Sequence, residues 1–164
     1  MTSAGGAAVE VAFGLGSNLG DKAGTIARAL HLLEAAGIAR DLRASPLYRT
    51  PPWGPVAQDW FVNGCAVGVT ALPAFALLRR VKAVEVALGR VETVRWGPRV
   101  IDIDILYRGE DGIEAPDLVL PHPEMLNRAF VLVPLANLAP DRVIRGVRIA
   151  DAAARLDGTG IKRL

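Results

Sequence analysis

Apolar residues recur along this chain at two periods, and the switches between those periods lay out its elements. Residues 9–14 form an apolar run that predicts a strand. Residues 21–36 place Ile26, Leu30 and Leu33 at helical spacing. Between them, Gly14-Leu15-Gly16-Ser17-Asn18-Leu19-Gly20-Asp21 predicts a glycine-rich turn, with Asp21 as the helix cap. Such a turn either offers backbone amides to an anion or simply reverses the chain. Residues 42–48 predict a second strand. The segment Thr50-Pro51-Pro52-Trp53-Gly54-Pro55 predicts a stiff irregular loop, because its prolines fix φ and remove amide donors.

Residues 61–70 predict a third strand, and residues 72–88 a helix with Pro73 in its first turn and Leu77, Leu78, Val81, Val84 and Leu88 on the buried face. A β-branched run ending at Tyr107 predicts another strand. Another apolar stretch covers residues 130–138, and a short, weakly amphipathic helix begins near Asp151. Several strands follow one another through short turns, which favours an α+β sheet with antiparallel pairs over a doubly wound parallel one. A ferredoxin-like β-α-β-β-α-β core with additional elements after Tyr107 accounts for the order. With no repeat or linker, residues 1–164 read as one domain, with 1–8 as a flexible extension.

Asp102-Ile103-Asp104 changes this picture from architecture to chemistry. On a strand, residues two apart share a face, so both carboxylates project to one side while Ile101, Ile103 and Ile105 point into the core. Their Cα atoms stand roughly 7 Å apart, close enough for mutual repulsion to raise at least one pKa unless a cation intervenes. Two hard carboxylates suit Mg²⁺, which completes its octahedron with water and substrate phosphate. Arg95 and Arg99 would then face the phosphate. The alternative is that these arginines pair with the aspartates on a solvated strand face.

The 164 residues suffice for a core burying about 68–70% of the unfolded surface. A hydrophobic content of 51% and a charged content of 22% fit a folded globular chain, and a net charge of +2 gives no argument for nucleic acid. The single cysteine, Cys65, excludes an intrachain disulfide and reads as a small packing residue in a reducing, cytoplasmic setting. No run reaches the roughly 18 apolar residues of a membrane helix, so neither export nor insertion is expected.

Five segments, taken together, carry a family resemblance. Gly16-Ser17-Asn18-Leu19-Gly20, Tyr48-Arg49-Thr50-Pro51-Pro52-Trp53-Gly54, Phe61-Val62-Asn63, Arg95-Trp96-Gly97-Pro98-Arg99 with Asp102-Ile103-Asp104, and Leu120-Pro121-His122-Pro123 resemble the 6-hydroxymethyl-7,8-dihydropterin pyrophosphokinases in content and order. The resemblance covers about residues 9–145. It implies pyrophosphoryl transfer from ATP to the pterin hydroxymethyl oxygen with release of AMP, a diphosphotransferase step in folate biosynthesis.

By residue-to-residue matching, the resemblance implies that Asp102 and Asp104 hold magnesium, two ions in this family. It places Glu85, Arg90, Trp96, Arg99, Ile105, His122 and Arg128 at the ATP site, with Arg90 and Arg99 also catalytic. Guanidinium forks suit phosphate because they bind two oxygens at once and stay charged. His122 by itself would more often be a turn histidine between prolines; His31 reads as structural. For the pterin, the resemblance implies stacking on Phe61 and Phe130, pairing with Asn63, and a pocket wall from Thr50, Pro51 and Trp53. Without the motif, the two phenylalanines would be ordinary core residues.

Three departures stand out: Phe61 where many relatives have tyrosine, a shortened loop carrying Glu92 where an arginine can occur, and Asp117 where some carry an arginine. The resemblance also implies a monomer, loops closing over the substrates, and ATP binding first, with no nucleic-acid or membrane partner. Two other readings stay open: a non-catalytic nucleotide- or RNA-binding module, and a Mg²⁺-dependent phosphotransferase with another heterocyclic acceptor.

Overall fold

The computed structural model describes residues 7–52, 57–90 and 99–164. In chain order the elements are β1 (Val9–Ser17), α1 (Lys22–Ala35), β2 (Arg40–Ala44), β3 (Tyr48–Thr50), β4 (Phe61–Thr70), α2 (Ala74–Ala87) and β5 (Asp102–Arg108). Then come β6 (Ile113–Ala115), β7 (Leu118–Leu120), a 3₁₀ turn (Met125–Asn127), α3 (Ala129–Ala136), β8 (Val143–Ile144), β9 (Val147–Arg148), α4 (Ile149–Arg155) and β10 (Lys162–Arg163). The main sheet runs β10-β3-β4-β1-β5, with β2 also on β4, and every pairing is antiparallel. Counting β2 and β3 as one interrupted strand, the order is that of the ferredoxin-like β-α-β-β-α-β core.

Alternation along the strands gives the sheet two different faces. Val11, Phe13 and Leu15 of β1 and Ile103 and Ile105 of β5 point toward α1 and α2, where they pack with Ile26, Leu33, Leu77 and Val81. Ala12, Cys65, Val67 and Leu106 point the other way and are covered by Leu132 and Leu135 of α3 and by Ile149 and Ala152 of α4. Those two helices reach only part of the second face. The remainder stays open, and the chemistry lies there.

Two local expectations change. The segment Gly14-Leu15-Gly16-Ser17 is strand, because β1 is the central strand and its pairs with β4 and β5 continue to Ser17 and Gly16. Its backbone groups are engaged in both ladders, so it offers no row of free amides to an anion. The reversal is left to Asn18–Asp21, where Gly20 takes φ +65° and the Asp21 side chain accepts from Gly24 N–H. The strand expected at 42–48 is broken at Pro46, which has no N–H to give the ladder; Ser45 bridges the gap by donating its N–H to Cys65 O and accepting Cys65 N–H on Oγ, both at 2.9 Å. The apolar stretch from residue 130 belongs to helix α3.

On α2 the buried residues are Ala74, Leu77, Val81, Val84 and a carboxylate, Glu85, with Leu78 and Leu88 only half-buried. Strands β6 to β10 escape sequence detection because two or three residues are too short to show a period. No helix among the described residues is long and apolar enough to cross a membrane. Of the expected extension at residues 1–8, only 7 and 8 are described.

Candidate active site

Register puts the site together. Asn63 on β4, Gly16 on β1 and Asp102 on β5 stand in one cross-strand row, with Cys65, Gly14 and Asp104 in the next. Directly paired residues share a face, so the two carboxylates and the Asn63 amide point the same way, separated by two glycines. That separation makes the floor of a cavity of about 300 Å³, to which both glycines, both aspartates and Asn63 contribute. A Cβ on Gly16 would lie 2.6 Å from Asn63 Oδ1, so only glycine lets the amide lie across β1.

The cavity has two kinds of wall. At the Asn63 end stand Thr50, Pro51, Phe61 and Phe130. Asn63 is buried and donates from Nδ2 to Thr50 Oγ1 at 2.6 Å, which fixes the amide plane. His122 and Arg128 stand near Asp104, the Arg128 guanidinium also lying 5.7 Å from the Phe130 ring, and Arg99 completes the lining. Arg128 Nε is buried without a hydrogen-bond partner.

Electrostatics at this end are strained in one direction. The Asp104 carboxyl is pushed up to about 7, first by burial and then by the neighbouring Asp102 charge. Asp102 is partly compensated by Arg90, whose Nη1 lies 2.8 Å from Asp102 Oδ1 and 2.6 Å from Glu85 Oε2. The Arg128 and Arg90 charges offset this only in part, and His122 Nε2 lies 4.0 Å from Asp104 Oδ2. That contact is not an ion pair, because burial, followed by the Arg128 charge, lowers the His122 pKa to about 4. Glu124 N–H donates to His122 Nδ1 at 3.1 Å, so the neutral ring carries its proton on Nε2, toward the aspartates.

The pair therefore calls for a cation, and its chemistry selects which kind. No group of three or more His, Cys, Asp or Glu converges among the described residues, so the donor set is two carboxylates and open space. That fits Mg²⁺, whose remaining positions go to water and phosphate oxygens.

Two further residues are held behind the site. The segment Leu88-Gly89-Arg90 ends α2 with Gly89 at φ +95°, Arg90 N–H donating to Glu85 O and Gly89 N–H to Val86 O. This turn folds Arg90 back beside Glu85. Glu85 is buried, its pKa raised chiefly by desolvation, and it accepts Ile103 N–H at 2.7 Å. It thus ties α2, β5 and Arg90 together from behind, outside the cavity lining. The Ile105 side chain likewise faces the α1/α2 core, since odd positions of β5 point away from Asp102 and Asp104. Trp53, Trp96, Arg95 and Glu92 lie outside the described residues.

Gly14, Gly16 and Asn18 escaped the sequence reading as site residues. Asn18 is buried at the end of β1, accepts Arg99 N–H on Oδ1 at 2.8 Å, and donates from Nδ2 to Gln58 Oε1 at 2.7 Å. Its own N–H donates to Arg99 O at 3.1 Å. One side chain thus fastens Arg99 to the segment leading into β4. The clue in the sequence was an asparagine among glycines, which any turn would also explain.

The sequence matches the family described as 7,8-dihydro-6-hydroxymethylpterin-pyrophosphokinase over residues 12–140. It is 51% identical over 152 residues to the 2-amino-4-hydroxy-6-hydroxymethyldihydropteridine pyrophosphokinase of Methylorubrum extorquens, covering 92% of this chain and 96% of that one. It is 44% identical over 151 residues to the protein of the same name from Pseudomonas aeruginosa, covering 92% and 93%. The fold is similar to that of a Plasmodium falciparum HPPK-DHPS crystal structure, with a TM-score of 0.72 at 16% identity; the match covers 91% of this chain and 45% of that longer one. The carboxylate pair, the glycine floor and these matches agree: the chain belongs to the 7,8-dihydro-6-hydroxymethylpterin-pyrophosphokinase family.

Proposed function

We propose that this site transfers a pyrophosphoryl group from ATP to the hydroxymethyl oxygen of 6-hydroxymethyl-7,8-dihydropterin, with release of AMP, in folate biosynthesis. The observation that carries it is the division of one cavity into an aromatic–amide half and a carboxylate–arginine half on a single sheet face. Phe61 and Phe130 would receive the faces of the pterin, while Asn63, its plane fixed by Thr50, would pair with the polar edge. Pro51 closes that end of the wall.

The reaction forms a bond between the hydroxymethyl oxygen and the β-phosphorus and breaks the bond from that phosphorus to the α,β-bridging oxygen. AMP leaves with the bonding electrons, and the hydroxyl proton passes to solvent. Asp102 and Asp104 would hold Mg²⁺, two ions on family analogy, whose charge would offset that of the triphosphate. Arg99 and Arg128 would fork onto phosphate oxygens, and His122 would donate its Nε2 proton to one. Arg90 starts from Glu85 and Asp102 and would neutralise charge at the same end. Catalysis is then positioning and electrostatics.

The test is AMP formation from ATP and Mg²⁺ with and without the pterin, in the intact chain and in Asp102→Ala and Asp104→Ala. Pterin-dependent AMP that collapses in both variants is expected. ADP in place of AMP would make the protein a simple kinase, and binding without turnover would make it a nucleotide-binding module.

A further inference from the structure

We propose that Arg145, in the β8–β9 hairpin, is a positioning residue for His122: its guanidinium clasps the backbone of the loop that presents the imidazole to the cavity. Arg145 Nη2 donates to Pro121 O at 2.5 Å and Nη1 to His122 O at 3.1 Å, so one planar fork spans two successive carbonyls. The hairpin lies beyond the residues 12–140 that match the family. The inference rests on the proposed function, in which His122 donates to a triphosphate.

The loop runs between two buried anchors, Leu120 and Met125, and among the described residues few other hydrogen bonds hold its backbone. His122 N–H donates to Leu106 O at 2.8 Å, tying the loop to the end of β5, and Met125 N–H reaches His122 O only at 3.4 Å. Glu124 N–H on Nδ1 sets the ring tautomer, yet it belongs to the same loop and does not fix the loop to the body. Arg145, 23 residues away in sequence, supplies that fixation on the carbonyl side. A small tilt of this loop moves the Nε2 proton relative to Asp104, and an ångström there is enough to misplace a phosphate contact.

Backbone geometry says that the side chain, not the turn, selects arginine. Ile144 pairs with Val147, enclosing a two-residue turn in which Arg145 has φ +49° and Gly146 has φ +77°. Such a turn is served best by Asn-Gly or Asp-Gly, because a long side chain at positive φ is unfavourable. Arginine is therefore the poorer residue for the hairpin and the better one for reaching Pro121 and His122.

These opposed demands make a clean experiment. Arg145→Asn keeps the turn geometry and removes the clasp. The pyrophosphokinase assay should show an unchanged or higher Tm, kcat/KM for ATP reduced roughly 5–20-fold, and an unchanged KM for the pterin. Arg145→Lys, with one ammonium for two carbonyls, should fall between the two. Placed in a His122→Ala background, Arg145→Asn should have almost no further effect, since its role passes through that ring. Unchanged activity in Arg145→Asn overturns the inference, as does a loss of equal size in the His122→Ala background or a loss shared with pterin KM. Absence of pterin-dependent AMP in the unaltered chain would instead overturn the functional proposal itself.

Discussion

Strands β1, β4 and β5 carry one face with two ends, and the ends are built on opposite terms. Under α3, positions 12, 65, 67 and 106 hold Ala, Cys, Val and Leu, sealed from water and packed. Two and four strand positions further on, the same alternation holds Gly14, Gly16, Asn63, Asp102 and Asp104, which line the cavity. The covered end stabilises the sheet. The open end works against it, since Asp104 is pushed up to about 7 and Arg128 Nε is left without a partner. Stability and function are thus separated along a strand, and substitutions should sort by end.

The largest separation is expected from Asp104→Ala. Loss of one of two metal-holding carboxylates should lower pterin-dependent AMP formation by on the order of 10³-fold, the several kcal/mol that such charge stabilisation supplies. The folded protein without ligands should be no less stable at pH 8, because a repelled, partly desolvated charge has gone. A variant inactive because it had unfolded would refute this, and thermal denaturation of the same sample decides.

At the covered end the pattern should reverse. Leu135→Ala empties a fully buried position under α4 and should cost about 2–5 kcal/mol of stability. KM for both substrates, measured below the lowered Tm, should stay within about twofold of the parent, as expected of a substitution that acts on packing alone. A selective rise in pterin KM would mean that α3 transmits strain to Phe130 and that the ends are not separate.

Gly16→Ala tests the border. The added Cβ would stand 2.6 Å from Asn63 Oδ1, so the amide must swing away from Thr50 or β1 must shift. Pterin KM should rise roughly 10-fold or more, the effect of an unpaired polar edge in a recognition site, while the ATP dependence changes little. Equal damage to both substrates would show that Asn63 does not belong to the acceptor half alone.

Much of this was legible in the chain, for reasons that differ by residue. The alternation through Ile101, Asp102, Ile103 and Asp104 gave the carboxylates their shared face, because period two is a local property. The burial of Glu85 broke the apolar stripe of α2, yet its task depends on Ile103 N–H and on the Gly89 turn, which no helical period reveals. Gly14 and Gly16 were mistaken for a turn because their meaning lies in what stands opposite them on β4 and β5, and register is not written in either strand alone. Asn18 and Arg145 act over separations of 81 and 23 residues, and sequence carries no local trace of such contacts.

The smallest and most discriminating effect concerns pH, because two neighbours of the open end titrate with opposite linkage. Asp104 has its pKa raised from 3.8 to about 7, so its contribution to stability is fully present below 3.8 and is lost as pH rises through about 7. His122 has its pKa lowered from 6.5 to about 4, so its contribution is present above 6.5 and is lost as pH falls toward 4. Between pH 4 and 6.5 the two slopes oppose each other, and the parent Tm should vary little on their account. Asp104→Asn should expose the histidine, with Tm falling as pH drops from 7 to 5. His122→Asn should expose the aspartate, with Tm rising over the same interval. With the Asp104 side chain 36% exposed, solvent screening holds each effect to on the order of 1 kcal/mol. Slopes of the same sign in both variants would mean that the open end does not hold a neutral imidazole against a proton-seeking carboxylate, and the assignment of His122 as an Nε2 donor would fall with it.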